Sequence, residues 1–318
     1  MSIMRQNPFT KEWVIYAKKR NDRPHDFSHD TKDKSSAGKS CPFCKEGANM
    51  TPNPVYTNQE DYTVRVFQNL YPAVDLEEET LEIEPFYETT NALGYHEIIV
   101  DTTEHGKTID MFSEEEFEEV FKAIDHRYAY FQSQKNTKYI QIFKNCGPLA
   151  GMSIRHSHWQ LVTLPRAGSR ITELSKSMQK TNCLMCEILS YEEKFGKRVV
   201  AENTDFIAVT PYASKMPYEV WICAKKHIAH YGDLSGAEKK SLQLLLSLIL
   251  KKLVKFNESI NYNICFMEGE LGNGDFHFHV VILPRSTGIA GLEFSTGAYI
   301  NAVLPEEAKK MYDEMSVE

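Results

Sequence analysis

The order of apolar and polar positions divides the chain into short strands and two long amphipathic helices. Residues 139–143 and 161–164 are compact apolar runs of strand length. Runs of the same kind occur at 12–17, 64–68, 96–101, 198–202, 206–210, 218–223, 262–267 and directly after His279. At two places the period changes from 2 to 3.6. Phe117, Val120, Phe121, Ile124 and Tyr128 mark the apolar face of a helix that runs to about residue 134. It opens on Ser113-Glu-Glu-Glu116, a capping box in which serine and glutamate each satisfy the other's backbone N–H. Ser235-Gly-Ala-Glu238 opens a second such helix, to about residue 256. His126 rides on the first helix and reads as structural or exposed. The lysine-rich stretch 28–40 has little to bury and reads as a solvated loop.

The same series of features then occurs twice: Cys-x-x-Cys, strand, histidine, capped helix, strand, glycine loop, His-x-His. His105 to His227 and Ser113 to Ser235 are both offsets of 122, and His156 to His277 is 121. This predicts an internal duplication with its boundary near 166–180, as residues 1–170 and 171–318. The expected fold is α+β, two tandem halves joined as a pseudo-dimer, each an antiparallel sheet with its helix packed on one face. One ambiguity stays open. Aligning Leu164-Pro165 with Leu283-Pro284 gives an offset of 119, which pairs His277 with His158 and His279 with Gln160.

The chemistry gathers at residues 145–160, NCGPLAGMSIRHSHWQ. Period-two spacing puts His156, His158 and Gln160 on one strand face. Gly147, Gly151 and Ser153 precede them around Pro148, in a loop able to bring N–H groups close to an anion. Together these suggest a phosphate cradle with a nucleophile aimed into it. Each half also offers two thiols and two imidazoles: Cys41, Cys44, His105 and His156, then Cys183, Cys186, His227 and His277, with His279 a possible replacement or addition. Cys2His2 is a preferred zinc environment, and soft thiolates exclude magnesium and calcium. Two closed, structural Zn2+ sites are therefore expected. A redox role for Cys-x-x-Cys would need a thioredoxin-like strand-to-helix context. Cys146, Cys223 and Cys265 sit in or beside apolar runs and read as buried thiols.

Composition narrows the picture. A net charge of −8 over 318 residues leaves no global basic footprint for nucleic acid. No apolar run reaches membrane-spanning length, and the N-terminal MSIMRQNPF carries no apolar signal core, so a cytoplasmic protein is expected.

These motifs resemble the galactose-1-phosphate uridylyltransferase family of the histidine-triad superfamily. The residues that carry the resemblance are Arg5-x-Asn-Pro-x-Thr-x-Glu-Trp-Val14, Arg23-Pro24, Cys41-Pro-Phe-Cys44, Phe67-x-Asn69, His105-x-x-Thr108 and the Asn145–Gln160 block. The resemblance implies that a nucleoside monophosphate passes from an NDP-hexose to a hexose 1-phosphate or to phosphate, through a covalent nucleotidyl-histidine. It implies His158 as nucleophile and Gln160 and Ser153 beside it. Gly151 and Ser153 would contact phosphate, Asn69 and Asn145 the nucleotide, and His156 zinc. It also implies a homodimer. The block reads His-Ser-His-Trp-Gln where the family's uridylyltransferases typically read His-Pro-His-Gly-Gln, with bulky Trp159 at the usual glycine. The second Cys-x-x-Cys resembles the ADP-glucose phosphorylase branch. The base and the sugar are left open, and an adenylyltransferase of that type is the alternative. A dinucleoside polyphosphate hydrolase or phosphorylase and a non-catalytic zinc-stabilised nucleotide-binding protein are the remaining readings. Without a serine or glutamine beside His277 and His279, the second half is expected to be degenerate, with residues 294–301 closing over a sugar.

Overall fold

The computed structural model describes residues 3–16, 41–78, 80, 85–86, 89–286 and 288–317. Arg23-Pro24 and the 28–40 stretch lie outside them. The elements in chain order are β1 (Ile3–Gln6), β2 (Trp13–Tyr16), β3 (Tyr56–Thr57), β4 (Arg65–Gln68), β5 (His96–Val100), α1 (Glu114–Gln132), β6 (Tyr139–Cys146) and β7 (His158–Leu164). Then follow α2 (Ser169–Ser177), α3 (Leu184–Phe195), β8 (Val199–Glu202), β9 (Phe206–Val209), β10 (Val220–Ala224), α4 (Gly236–Phe256), β11 (Tyr262–Met267), β12 (His279–Pro284), α5 (Gly291–Thr296), β13 (Tyr299–Asn301) and α6 (Pro305–Glu314).

Ten strands form one antiparallel sheet in the order β3-β4-β5-β7-β6-β11-β12-β10-β9-β8. The middle pair is β6 with β11, where Asn145 faces Asn263 and Phe143 faces Cys265. On either side the order β4-β5-β7-β6 is mirrored by β9-β10-β12-β11. The fold is thus α+β with a large antiparallel sheet.

Both capping boxes form as the sequence predicts. Ser113 Oγ accepts from Glu116 N, and Ser235 Oγ from Glu238 N, with the glutamates reaching back. One face of the sheet carries the main core. Val66, Ile99, Ile142, Trp159 and Leu161 from one side of the sheet meet Ile222, Ile264, Phe266 and Val280 from the other, under Phe121, Ile124, Leu246 and Ile249 of α1 and α4. A buried bidentate pair, Arg127 Nε and Nη2 to Glu97 at 2.8 and 2.7 Å, locks α1 onto β5. His126 is exposed and lies against the Tyr56 ring, as expected.

The opposite face is treated differently in the two halves of the sheet. Over β9, β10 and β12 it is covered by α2, α3 and the turn after β1, through Phe9, Leu174, Met185, Leu189 and Trp221. Over β4, β5 and β7, among the described residues, Cys41, Phe43 and Cys44 form a small cluster with Phe67, Ile98 and Val100 of the strands. That difference positions the site. No helix among the described residues is long and apolar enough to cross a membrane.

Candidate active site

The face of β4, β5, β7 and β6 turned away from α1 and α4 bears the polar residues. The register pairs Ile98 with Gln160 and Val100 with His158, so His158 and Gln160 share this face with Phe67, His96 and Phe143. His156 lies before β7 begins, and its ring turns to the cysteine pair instead of continuing the strand alternation. Trp159 points the other way. It is fully buried in the core, edge-on to Phe266 at 5.9 Å, so its bulk does not shape this face.

Cys41, Cys44, His105 and His156 converge, with one donor atom from each within 4.8 Å of the others. Nδ1 of His105 is 3.4 Å from Cys44 Sγ, and Nδ1 of His156 is 3.5 Å from the same sulfur. His156 Nε2 donates to the Thr102 carbonyl at 2.7 Å, which leaves the Nδ1 lone pair facing the thiols. Cys183, Cys186, His227 and His277 make the second cluster by the same rule, with His277 Nε2 donating to Ala224 O at 2.6 Å and His227 Nε2 to Gly274 O at 3.1 Å. The donor sets suit a four-coordinate metal held by two thiolates and two neutral imidazoles. Burial and the neighbouring Cys183 push Cys186 up to about 12, a cost that a shared cation would remove. Cys183 and Cys186 open α3, a helix the sequence reading missed, but a 3-10 turn and not a strand precedes them. Cys223 is buried, Cys146 and Cys265 are half-buried, and none of the three joins a cluster.

His158 is 5% exposed. Its Nδ1–H donates to the His156 carbonyl at 2.8 Å, so the lone pair sits on Nε2. Burial pushes its pKa down to about 4, which keeps the ring neutral at pH 7. Phe43, from the first Cys-x-x-Cys turn, stands edge-on to it at 5.0 Å. Beneath the strand Lys144 is buried with Asp101, Nζ to Oδ2 2.6 Å, and also donates to Ser157 Oγ at 2.7 Å and to the His158 carbonyl at 3.2 Å. The Cys/His cluster and this ion pair hold the His156–His158 segment from two sides.

The glycine loop turns on Gly147 and Gly151, both at positive φ, +89° and +83°. A Cβ on Gly147 would lie 2.0 Å from Asn261 Oδ1, so that position takes only glycine. Ser153 is exposed on the same loop. Asn145 Oδ1 accepts from Asn263 Nδ2 at 2.8 Å, and the same Nδ2 donates to Ala150 O at 2.8 Å. Asn261 Oδ1 accepts from Leu149 N. Asn261 and Asn263 thus carry the loop from across the central strand pair, a role invisible along the sequence. His96 was missed as well. It lies 3.1 Å from Asn69 Nδ2 and 3.0 Å from Gln160 Oε1, joining two expected site residues. Period-two alternation along β5, adjacent to β7, was the signal that could have found it.

In the second half, His279 repeats the His158 hydrogen bond, Nδ1 to the His277 carbonyl at 2.8 Å. His277 is therefore the counterpart of His156 and His279 that of His158, which closes the alignment ambiguity and leaves His279 outside the metal cluster. His279 stacks on Phe276 and packs against Trp221, itself covered by Phe9. Burial drives its pKa to about 3.

A buried imidazole on a strand, beside an amide and a glycine loop, accompanies a fold whose relatives define a class of enzyme, the nucleotidyltransferases. The chain belongs to the galactose-1-phosphate uridylyltransferase family. The model for the galactose-1-phosphate uridyl transferase N-terminal domain matches residues 1–165, and a domain of unknown function, DUF4921, matches 96–317. The chain is 30% identical to an ADP-glucose phosphorylase of Arabidopsis thaliana over 99% of its own length and 93% of the relative's. It is 29% identical to a galactose-1-phosphate uridylyltransferase of Thermotoga maritima over the full length of both. A crystal structure of an ADP-glucose phosphorylase from Arabidopsis thaliana with bound ADP-glucose superimposes with a TM-score of 0.83 at 28% identity, covering all of both chains.

Proposed function

We propose that the chain transfers a nucleoside monophosphate from an NDP-hexose to a hexose 1-phosphate or to inorganic phosphate through a covalent intermediate on His158. The observation that carries this is the His158 hydrogen bond: Nδ1–H held by the His156 carbonyl at 2.8 Å, with Nε2 unprotonated. In the first step Nε2 attacks the α-phosphorus. The N–P bond forms, the α-phosphorus to bridging-oxygen bond breaks, and the electron pair leaves on the sugar 1-phosphate. The His156 carbonyl, accepting from Nδ1–H, stabilises the cationic ring of the adduct. In the second step an oxygen of the acceptor phosphate attacks the same phosphorus and Nε2 leaves. Gln160, Ser153 and the loop N–H groups around Gly151 serve the phosphoryl oxygens, and Asn69 and Asn145 the nucleotide.

Zn2+ is the metal proposed for both clusters, two per chain, and its contribution is to fix loops and strand ends. No reaction step passes through it. The mirrored strand order supports two tandem halves, 1–170 and 171–318, paired as a pseudo-dimer. The first half is catalytic. The second is closed by Phe9, Trp221 and Phe276, and the 294–301 segment is assigned to the sugar. The resemblance also supports a cytoplasmic homodimer, whose mass sedimentation velocity reads.

Two donors stand level, UDP-glucose and ADP-glucose, because the relatives named for each differ by a single point of identity, 30% against 29%. Incubation with each, followed by intact-protein mass measurement, tests the proposal. A UMP or AMP adduct, absent in His158→Ala, is the expected result and names the base. No adduct from either sugar overturns it.

A further inference from the structure

We infer that His96 is a positioning residue, fixing the Gln160 amide with its NH2 end free to donate to the transferring phosphoryl group. The inference rests on the reaction proposed above and adds a residue to it.

The argument follows protons around one ring. The backbone N–H of Ala73 reaches His96 Nδ1 at 3.1 Å. A backbone N–H can only donate, so Nδ1 is the acceptor. Burial depresses the His96 pKa below the ordinary imidazole value, which leaves one ring proton, on Nε2. Nε2–H then donates to Gln160 at 3.0 Å, and the partner atom there has to be Oε1. The Gln160 NH2 end therefore faces away from the ring.

Asn69 is set by the same logic. Its Oδ1 accepts from Tyr71 N at 2.9 Å, so the atom 3.1 Å from His96 Nε2 is its amide nitrogen. Two donors cannot bond each other, and the Asn69 N–H groups stay available to a ligand. The opposite tautomer would set Nδ1–H against the Ala73 N–H and aim the Asn69 amide at a lone pair on Nε2. Gln160 would then have to reverse, presenting its carbonyl oxygen where phosphate oxygens must sit. One backbone amide in the loop after β4 thus orients, through His96, an amide on the strand that bears the nucleophile.

The test is the single-turnover rate of adduct formation, read by quenching and intact mass, with whichever of UDP-glucose and ADP-glucose labels the wild type. His96→Ala is expected to slow it by about 10–100-fold, the usual loss when a supporting contact is removed. His96→Gln retains an N–H at the Nε2 position and is expected to recover most of the rate. His96→Glu presents an acceptor, reverses the Gln160 amide and is expected to fall below His96→Ala. In a Gln160→Ala background, His96→Ala is expected to cost nothing more. A wild-type rate in His96→Ala overturns the inference alone. So does a loss undiminished in the Gln160→Ala background, which would mark a merely structural role. A wild type that takes no label from either sugar overturns the transfer reaction, and the inference with it.

Discussion

Glu268 follows β11, and two groups, Tyr128 Oη and Tyr231 N, donate to one of its carboxylate oxygens at 3.0 and 2.9 Å. The other oxygen has no partner among the described residues. Burial, with Asp233 nearby, pushes its pKa up to about 8. Between pH 4.5 and 8 the unfolded chain has released this proton and the folded chain keeps it. The unfolded state therefore binds fewer protons, and the contribution of Glu268 to stability declines as pH rises, by up to about 1.4 kcal/mol per pH unit. Glu268→Gln removes the titration. Urea midpoints at pH 5 and pH 8 should show the variant gaining on the wild type with rising pH, and parallel behaviour of the two would refute this reading. At this scale the sequence singled out His158, Gln160 and the eight Cys and His residues that converge in two clusters, because spacing and residue type specify them. It concealed Glu268, Lys144 and His96, whose meaning depends on what folding brings against them.

The two long helices were the most legible elements, since capping box and apolar face agree over many turns. Removing the Ser113 or Ser235 hydroxyl leaves one N–H of the first helical turn without its capping acceptor. Ser113→Ala and Ser235→Ala should each lower stability by about 1 kcal/mol in denaturant titration, while Ser→Asp at either position should keep the cap. The strands were legible in place and approximate in length, and β6 and β7 each reach beyond the apolar run that marked them. Helices α2, α3, α5 and α6 were not found. They are short, and their apolar residues make a face only once docked, as Leu174, Met185 and Leu189 do over β10 and β12. The pairing of β13 with β2 in parallel joins the two ends of the chain and has no local signal.

For the whole molecule, the two Cys2His2 clusters make unequal demands. Cys44→Ser and Cys186→Ser should each lose one equivalent of bound metal by elemental analysis, and each should melt lower than the wild type. Only Cys44→Ser should also slow labelling of His158, because His156 ties the first cluster to the strand carrying the proposed nucleophile. Retention of both metal equivalents in either variant would refute the assignment of that cluster. Packing differs as well: the N-terminal turn covers the second half through Phe9 against Trp221, and Arg5 Nη2 pairs with Glu306 Oε2 at 3.1 Å.

The sequence by itself determined the repeated order of elements, the two Cys2His2 sets and the histidine proposed to act, because these depend on residue type and short spacing. Tertiary structure decided the rest. It showed that Trp159 faces the core and that His277, not His279, matches His156. It also showed that the glycine loop leans on Asn261 and Asn263 from the other half of the sheet. Such facts depend on which strand lies beside which and which face is covered, and chain order does not encode either one locally.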